Sequence, residues 1–460
     1  MIIFELNTRL HGKPFDQISD DYLKNLSRIG FDWIWMMGIW RISPTGREIS
    51  KKLAPDFEGS PYALLDYKVN PDLGGEGAFR RFVSRAHSVG LKVMVDFVPN
   101  HMAVDSPLID SHPEYFIHSN HLLRQENPED FFYHRVGKLA HGKDPYFPGW
   151  TDTVQFDYVH PGTRAHQIEV LKHIATLADG VRCDMAMLVL REQIKEQWFP
   201  KVGWSTFETF MPKEFWSQAI EEVKQQSPDF VFMAEVYWDK EYYLQYLGFD
   251  LTYNKKLYDM LAHSSVSDQV ATYLNSTPNS YLAHSVHFLE NHDEERASEK
   301  FSYRTKPVAI LSYLIPGAVF VYDGQMEGFK ERTPVQRIKP LQNEIPDRDL
   351  KKFYERLLSI AKDPIFRQGD MYTIGSFEGV VLFCRQFLDR LVLVGVRLYA
   401  DDYSPELYLP TNLLRKVGKF LDLWSQKEVV FSLQQEETLV LKTAEINSWN
   451  ECSAFILEVV

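Results

Sequence analysis

The sequence predicts an α/β protein: a (β/α)8 TIM barrel with an inserted domain, termed domain B, and a C-terminal antiparallel β-sandwich domain. Over the first two-thirds of the chain, short apolar runs alternate with segments of helical spacing. Such runs are typical of parallel strands that are buried on both faces. The alternation pauses from about His101 to Asp157, and after about Asp363 it is replaced by short strands separated by turns. About eight strand–helix pairs remain, which is the number in a TIM barrel.

The predicted barrel strands are Ile2–Leu6, Trp33–Met37, Lys92–Val98, Gly180–Cys183, Phe230–Ala234, Leu251–Tyr253, Ser285–Leu289 and Ala318–Tyr322. Five helices have clear apolar spacing: Tyr22–Ile29, Phe79–Val89, His166–Leu177, Glu214–Gln226 and Lys351–Ala361. A long pause inside a compact domain is usually functional or a small inserted domain. We therefore assign residues 1–100 and 158–365 to the barrel, 101–157 to domain B and 366–460 to the C-terminal β domain. The strands predicted there are Val380–Arg385, Leu391–Val396, Glu428–Phe431, Glu437–Lys442 and Ala454–Val459.

Composition excludes several classes of partner. The net charge is −13, whereas nucleic acids and anionic membranes require clustered Lys and Arg. No run of 18 apolar residues predicts a membrane span, and the first residues lack a signal-peptide pattern. The three cysteines, Cys183, Cys384 and Cys452, are odd in number and widely spaced, which predicts neither a disulfide framework nor a zinc site. We expect a reduced, cytoplasmic protein with a neutral substrate.

Four acidic residues lie at or just after the ends of predicted barrel strands: Asp96, Asp184, Glu235 and Asp293. Side chains at the carboxyl ends of barrel strands converge on one mouth. Glycoside cleavage requires such a set, because one carboxylate attacks the anomeric carbon and a second, protonated one donates to the leaving oxygen. Arg182 precedes Asp184 by two residues, so strand alternation places both on one face. We expect this guanidinium to keep Asp184 ionised.

Two other readings of these acids remain. Any one of them alone could be a surface residue on a loop, although four in register with strands argue against that. His101 and His292 near the acids make a dinuclear metallohydrolase conceivable, but no ligand spacing of the H-x-x-E-H type supports it.

The motifs around these acids resemble those of the α-amylase family of retaining glycoside hydrolases. The resemblance covers nearly the whole chain. The four motifs, in order, are Asp96–His101, Gly180–Ala186, Phe232–Trp238 and Phe288–Asp293, and supporting motifs are Gly30–Trp35, Tyr62–Tyr67 and Pro316–Gly324.

The resemblance implies a role for each site residue. It makes Asp184 the nucleophile, Glu235 the general acid/base and Asp293 the stabiliser of the transition state. It also implies that Arg182 orients Asp184, that His101 and His292 bind sugar hydroxyls, and that Tyr62 stacks under the sugar being cleaved. In the family, the position of Asn100 often ligates calcium or holds the loop, and both roles are open here.

The sequence also departs from familiar family members. Many of them close the second motif with a Lys-His pair on the leaving-group side, where this chain has Met187 and Leu188. That difference puts endo-acting starch hydrolysis in doubt. In domain B, Tyr146, Phe147 and Trp150 form either a sugar platform or a packed mini-core.

The leading functional prediction is a retaining glycoside hydrolase that acts on α-glucosidic bonds through a covalent glycosyl-enzyme intermediate. The first alternative is an α-glucan transglycosylase of the same family. The second is a non-catalytic carbohydrate-binding or interaction protein on the same fold, although such proteins usually lose the catalytic acids. We expect an α-glucan or α-glucoside substrate, no metal site and no required cofactor, with calcium allowed but not necessary. The oligomeric state is left open.

Overall fold

The computed structural model describes residues 1–119, 127–263, 266–340, 343–377, 379–399, 406–410, 419–430, 432–434 and 438–460. Within this part of the chain, no helix is long and apolar enough to cross a bilayer. The three cysteines are buried free thiols.

Eight parallel strands close into a barrel in chain order, and the eighth pairs back onto the first. The strands are Ile2–Asn7, Trp33–Met37, Lys92–Phe97, Gly180–Cys183, Val231–Ala234, Leu251–Tyr253, Ser285–His287 and Ala318–Tyr322. Almost every residue in them is buried, as the continuous apolar runs predict. The predicted barrel is therefore confirmed, and each strand lies within two residues of its predicted bounds.

Helices follow the strands on the outside of the barrel. The main ones are Asp20–Ile29, Gly75–Ser88, Pro161–Ala175, Phe215–Gln226, Lys255–Ala262, Ser267–Ser276, Thr305–Leu314 and Arg348–Ala361. Shorter helices lie at Pro44–Leu53, Arg191–Trp198, Trp204–Phe210, Glu241–Tyr246 and Asn279–Ala283. Side chains fix where the helices begin: the Ser19 hydroxyl accepts the Tyr22 N–H at 3.2 Å, and the Asp347 carboxylate accepts the Leu350 N–H at 2.9 Å.

The segment between the third strand and helix Pro161–Ala175 forms a small β unit. Strand His101–Ala103 pairs with Thr153–Gln155, and Phe131–His134 pairs with Gly137–Ala140, both antiparallel. The rings of Phe116 and Phe156 stack at 5.0 Å. This unit leaves the barrel at the carboxyl end of the third strand, so it lies beside the mouth.

The C-terminal region contains two antiparallel sheets. One has six strands, Asp370–Phe377, Val380–Phe387, Arg390–Arg397, Lys419–Asp422, Lys427–Val430 and Ala454–Val459, and the other has three, Glu406–Pro410, Ser432–Gln434 and Thr438–Lys442. The predicted strand ends at Phe431 and Glu437 lie outside the described residues. Four of these strands have no counterpart in the sequence prediction: Asp370–Phe377, Glu406–Pro410, Lys419–Asp422 and Ser432–Gln434.

Arg385 joins the larger sheet to the barrel. Its guanidinium is fully buried and donates to the carbonyl oxygens of Leu314 at 2.6 Å, Phe366 at 2.8 Å and Gly369 at 2.6 Å. A buried cation loses its water of hydration, and the three carbonyl oxygens take the place of that water.

Candidate active site

Arg182 lies at the centre of the polar cluster in the barrel mouth. Its side chain is 0% exposed. Nη1 lies 2.8 Å from Asp184 Oδ1 and 4.0 Å from Asp96 Oδ1, and Nη2 lies 2.7 Å from Glu235 Oε2. A buried guanidinium is tolerated only when anions and aromatic rings replace its hydration, and these carboxylates supply the anions. The predicted pairing of Arg182 with Asp184 is confirmed.

The backbone of neighbouring strands fixes Asp184 and Glu235. The Asp184 N–H donates to the carbonyl of Phe97 at 2.8 Å, and the Glu235 N–H donates to that of Cys183 at 3.0 Å. The side chains are 10% and 4% exposed, respectively. The ladder that closes the barrel therefore also brings the two carboxylates to one guanidinium.

Burial, together with the negative charge of Glu235, raises the pKa of Asp184 to about 8, against the opposing pull of Arg182. The expectation that Arg182 keeps Asp184 ionised is therefore wrong for the free protein, because burial and Glu235 outweigh the guanidinium. One cation next to two buried carboxylates does not offset the loss of water around both. Near neutral pH, Asp184 therefore holds a proton in the free protein.

Glu235 is surrounded by donors. Its Oε2 accepts the Met185 N–H at 2.7 Å, and its Oε1 accepts the Tyr237 O–H at 2.8 Å. Met185 has left-handed backbone angles, with φ 40° and ψ 49°. Such a conformation is costly for a residue with a side chain, and it is found most often at functional sites.

Asp293 faces the open cleft, where 44% of its side chain is exposed. Its Oδ2 lies 3.0 Å from Nε2 of His292, and the Tyr62 hydroxyl lies 2.7 Å from the same nitrogen. Burial would raise the pKa of Asp293, but His292 outweighs it and holds the pKa at about 2. Asp293 is therefore an anion in the working range, and the cleft gives it access to a bound molecule.

Tyr62 is half-buried, and its ring stacks on His292 with 5.5 Å between ring centroids. Its other neighbour is the guanidinium of Arg182, whose Cζ lies 5.4 Å from the ring centroid. The structure thus brings Tyr62 into the same cluster as the acids, as the sequence predicts.

Asp96 and His101 lie deeper, at the end of the third strand and just after it. The Asp96 carboxylate accepts the Gly38 N–H at 2.9 Å and the Trp35 indole N–H at 3.2 Å, and burial raises its pKa to about 6. Burial lowers the pKa of His101 to about 4, so this ring is neutral. A neutral imidazole can both donate and accept a hydrogen bond.

An aromatic pair connects domain B to the segment that follows the fifth strand. The ring of Tyr146 in domain B packs edge-on against Trp238, with centroids 5.1 Å apart. Tyr146 and Phe147 are 70% and 64% exposed, so the packed mini-core is wrong for these two residues. The Asp144 carboxylate accepts their backbone N–H groups at 2.6 and 3.0 Å and thereby fixes the loop.

Sequence reasoning missed four residues of this site: Glu5, Trp35, Tyr237 and Trp238. Glu5 accepts from His292 and is 0% exposed. Its signal was available, since it is the one acid in the apolar run Ile2–Leu6. Trp35, Tyr237 and Trp238 lie within the motifs given above, but nothing in their spacing indicates which side chains they contact.

The residues around Asn100 do not fit a calcium site. Calcium requires six to eight oxygen ligands. The Asn100 amide oxygen already accepts from Gln155 Nε2 at 2.9 Å. The nearby carbonyl of Lys143 accepts from Gln197 Nε2 at 3.1 Å and from Asn100 Nδ2 at 3.5 Å. Both oxygens are thus engaged by amide groups of the protein.

Two acids of domain B, Asp105 and Asp130, are also engaged elsewhere. Asp130 pairs with Lys143 at 2.6 Å and accepts the Gly149 N–H at 3.0 Å, and Asp105 accepts from the Ser43 hydroxyl at 2.6 Å. Over the ranges that the structure describes, no group of three or more His, Cys, Asp or Glu residues is arranged to hold a metal ion. In this structure the Asn100 amide links the end of the third strand to Gln155 and to the carbonyl of Lys143.

The fold and the site together define a (β/α)8-barrel protein whose carboxylates surround one arginine at the strand ends. The family profile described as "Alpha amylase, catalytic domain" matches residues 18–373, more than three-quarters of the chain. The chain therefore belongs to the α-amylase family.

Two relatives show the range of names within that family. "Alpha-amylase MalA" of Haloarcula japonica is 25% identical over 354 residues, which cover 72% of this chain and 44% of the relative. The "Alpha-1,4-glucan:maltose-1-phosphate maltosyltransferase" of Salinibacter ruber is 26% identical over 250 residues, covering 50% and 32%. The chain thus spans less than half the length of these two curated relatives.

Among solved structures, an α-amylase from Lactobacillus plantarum superposes with a TM-score of 0.75 at 21% identity. The match covers 100% of this chain and 98% of that one. At this level of identity, the likeness supports the fold alone.

Proposed function

We propose that the protein is a retaining glycoside hydrolase that cleaves α-glucosidic bonds through a covalent glycosyl-enzyme intermediate. The observation that carries this proposal is the single guanidinium of Arg182, which contacts both Asp184 and Glu235. Two carboxyl groups that share one guanidinium lie close together. The short spacing of retaining sites, about 5–5.5 Å, leaves no room for a water molecule between nucleophile and acid.

In the first step, the carboxylate of Asp184 attacks the anomeric carbon, and the bond to the leaving oxygen breaks. Glu235 gives its proton to that oxygen. This step needs one proton at the site, and burial of Asp184 retains one there in the free protein near neutral pH. In the bound complex the leaving oxygen accepts a hydrogen bond from protonated Glu235. The proton on Glu235 leaves Asp184 as the anion that attacks the anomeric carbon.

In the second step, Glu235 takes a proton from the incoming hydroxyl group, which attacks the anomeric carbon and releases Asp184. Positive charge develops on the sugar ring in both transition states, and the anion of Asp293 lies in the cleft to stabilise it. Tyr62 supplies a half-buried ring on which an apolar sugar face can stack. His101 and His292 supply polar nitrogens for hydroxyl groups.

Transfer to a sugar is the second candidate, and the contact between Tyr146 and Trp238 favours it. Trp238 lies three residues after Glu235, and both it and Asp239 have positive φ, at 64° and 56°. Each left-handed residue costs on the order of 1–3 kcal/mol. Such strain persists at functional sites, and here it fixes the position of the Trp238 ring. This ring pair supplies an acceptor surface, where a sugar hydroxyl would compete with water.

The test is product analysis with starch, maltooligosaccharides, trehalose, sucrose and maltose 1-phosphate, each with and without a glucose or maltose acceptor. We expect glucose or maltose release from an α-linked donor, and no release by Asp184→Asn. A protein that binds these sugars but converts none of them would overturn the proposal and support the non-catalytic alternative.

The two candidates are separated by Trp238→Ala. We expect the ratio of transfer to hydrolysis to fall about 2- to 10-fold, the range for one lost aromatic contact. Tyr242→Ala is the matched control, because Tyr242 is 66% exposed and packs on Tyr281 rather than on domain B. An unchanged ratio in Trp238→Ala would remove the acceptor role of this ring.

Three buried free thiols favour a reducing compartment, and we place the protein in the cytoplasm. Cell fractionation with a cytoplasmic marker would test this, and activity that partitions with secreted proteins would contradict it.

A further inference from the structure

Glu5 is a buried acid in an otherwise apolar strand. All six residues of Ile2–Asn7 are buried, and the Glu5 side chain is 0% exposed. An unpaired carboxylate at such a depth would strongly destabilise the fold, so it needs a partner. The barrel register places Glu5 next to Trp35 and Tyr322 on the neighbouring strands. The side chain therefore lies inside the mouth, and packing alone gives no reason for an acid there.

The partner of Glu5 is His292, which lies 287 residues away in the chain. Glu5 Oε1 is 2.5 Å from Nδ1 of His292, and the His292 side chain is 1% exposed. The opposite ring nitrogen, Nε2, lies between the Tyr62 hydroxyl and the Asp293 carboxylate. Oxygen atoms thus face both nitrogens of the ring, and two of these oxygens belong to carboxyl groups.

The surroundings favour a positively charged ring. Burial alone would lower the pKa of His292, but Asp293 and Glu5 outweigh it and hold that pKa well above its ordinary value. The pKa of Glu5 is raised overall, because burial outweighs the lowering effect of His292. Glu5 and His292 therefore compete for one proton. We favour the ion pair, because Asp293 on the far side of the ring stabilises the cation as well.

Other charged and titratable groups act on this network. They are Asp96 on the third strand, Arg182 on the fourth, Tyr62 on the loop after the second, Tyr253 on the sixth, Glu290 after the seventh, and Tyr322 and Asp323 at the end of the eighth. Arg182 lowers the pKa of both Glu5 and Asp293, so it favours their anionic forms. A neutral His292 would leave Asp293 as an anion without its adjacent counter-charge.

We infer that Glu5 is a positioning residue that keeps His292 in its imidazolium form and, through it, holds Asp293 as an anion facing the sugar. Glu5 does not touch the substrate in this arrangement. A hydroxyl group bound at His292 would then meet a charged donor, which binds more strongly than a neutral one. The consequence for rate rests on the proposed function, whereas the charge state of His292 does not.

The direct test is the charge of the His292 ring, read from the 15N shifts of its two nitrogens as a function of pH. The chain has 15 histidines, so His292→Gln identifies the resonances. In the wild-type protein we expect both nitrogens to remain protonated at neutral pH and above. A neutral ring at pH 7 would overturn the inference whatever any variant does.

Two variants then separate Glu5 from Asp293. In Asp293→Asn we expect the ring to remain charged at pH 7, because Glu5 is still present. This substitution lies on the open cleft, so the fold should tolerate it. In Glu5→Gln we expect the ring to lose its proton at lower pH. A ring that becomes neutral in Asp293→Asn, or that titrates as in wild type in Glu5→Gln, would overturn the inference.

Glu290→Gln is the matched control for Glu5→Gln. Glu290 is also 0% exposed, but it pairs with Arg296 at 3.2 Å and accepts the Ala297 N–H. Glu290 acts on Glu5 only through its charge, so we expect the His292 shifts to change much less in this variant than in Glu5→Gln. For kcat/KM we expect a loss of about 10- to 100-fold in Glu5→Gln, the range for one charge-assisted hydrogen bond. If the 15N result holds and no variant or wild-type protein has activity, the proposed function fails and the assignment of Glu5 to His292 stands.

Discussion

Replacing Asp184 with Asn should move stability and activity in opposite directions. Folding places this carboxyl where its pKa rises to about 8 from an ordinary value of 3.8. The folded protein therefore binds a proton that the unfolded chain releases. The free energy of unfolding falls as pH rises between these values and levels off above the higher one. An amide does not titrate, so the free energy of unfolding of Asp184→Asn does not fall with pH in this way.

The magnitude follows from the width of that pH interval. Each pH unit in which only the folded state holds the proton costs about 1.4 kcal/mol, so the upper limit near pH 7 is about 4 kcal/mol. Coupling to Glu235 and the altered pairing of Arg182 reduce this figure. We expect the variant to be more stable by about 1–4 kcal/mol near pH 7, with a melting temperature higher by about 2–8 °C.

Activity should change the other way. An amide cannot form the glycosyl ester, so we expect kcat to fall by at least about 10⁴-fold, as for loss of a catalytic nucleophile. Thermal melts at several pH values between about 4 and 8 and assays on an activated α-glucoside would be run on the same samples. The gain in melting temperature should grow with pH over that range.

Asp157→Asn is a matched control. Burial raises the pKa of Asp157 to about 6, and its carboxylate accepts the Val159 N–H at 2.9 Å, away from the barrel mouth. This variant should show a smaller gain in stability and full activity. If Asp184→Asn is less stable than wild type at every pH, Asp184 is charged in the free protein and our account of the pair is wrong. Activity above a few per cent of wild type would show that Asp184 is not the nucleophile.

Four further predictions follow from the site. Proton NMR of the first sugar released from an α-linked substrate should show the α-anomer, and a β-anomer would indicate an inverting mechanism. Glu235→Gln should retain more activity on an aryl glucoside than on an oligosaccharide, and azide should replace water in the second step; equal losses and no azide adduct would argue against the acid/base role. The rate should fall above about pH 8, where the site loses the proton that burial retains on Asp184, and a flat profile to higher pH would contradict that raised pKa. Prolonged EDTA treatment should leave melting temperature and activity largely unchanged, because Asn100 is held by Gln155; losses restored by added calcium would reveal ligands other than those we considered.

The fold could be predicted because its signals are local. Apolar runs such as Trp33–Met37 and Gly180–Cys183 mark strands buried on both faces, and each strand is short and separate from the next. The C-terminal sheets were predicted less completely. Strand Asp370–Phe377 contains Gly375 and a register shift next to it, which breaks the regular alternation that sequence reasoning relies on.

The sequence by itself determined that the strand-end acids gather in the mouth, because the carboxyl ends of parallel barrel strands converge whatever the loops do. Asp184 and Glu235 needed only their positions at strand ends. Tertiary structure alone decided the contacts between distant segments, such as Glu5 with His292 and Tyr146 with Trp238. It also decided where the protons lie, because a pKa depends on burial and on every nearby charge, and neither quantity can be read from the order of residues along the chain.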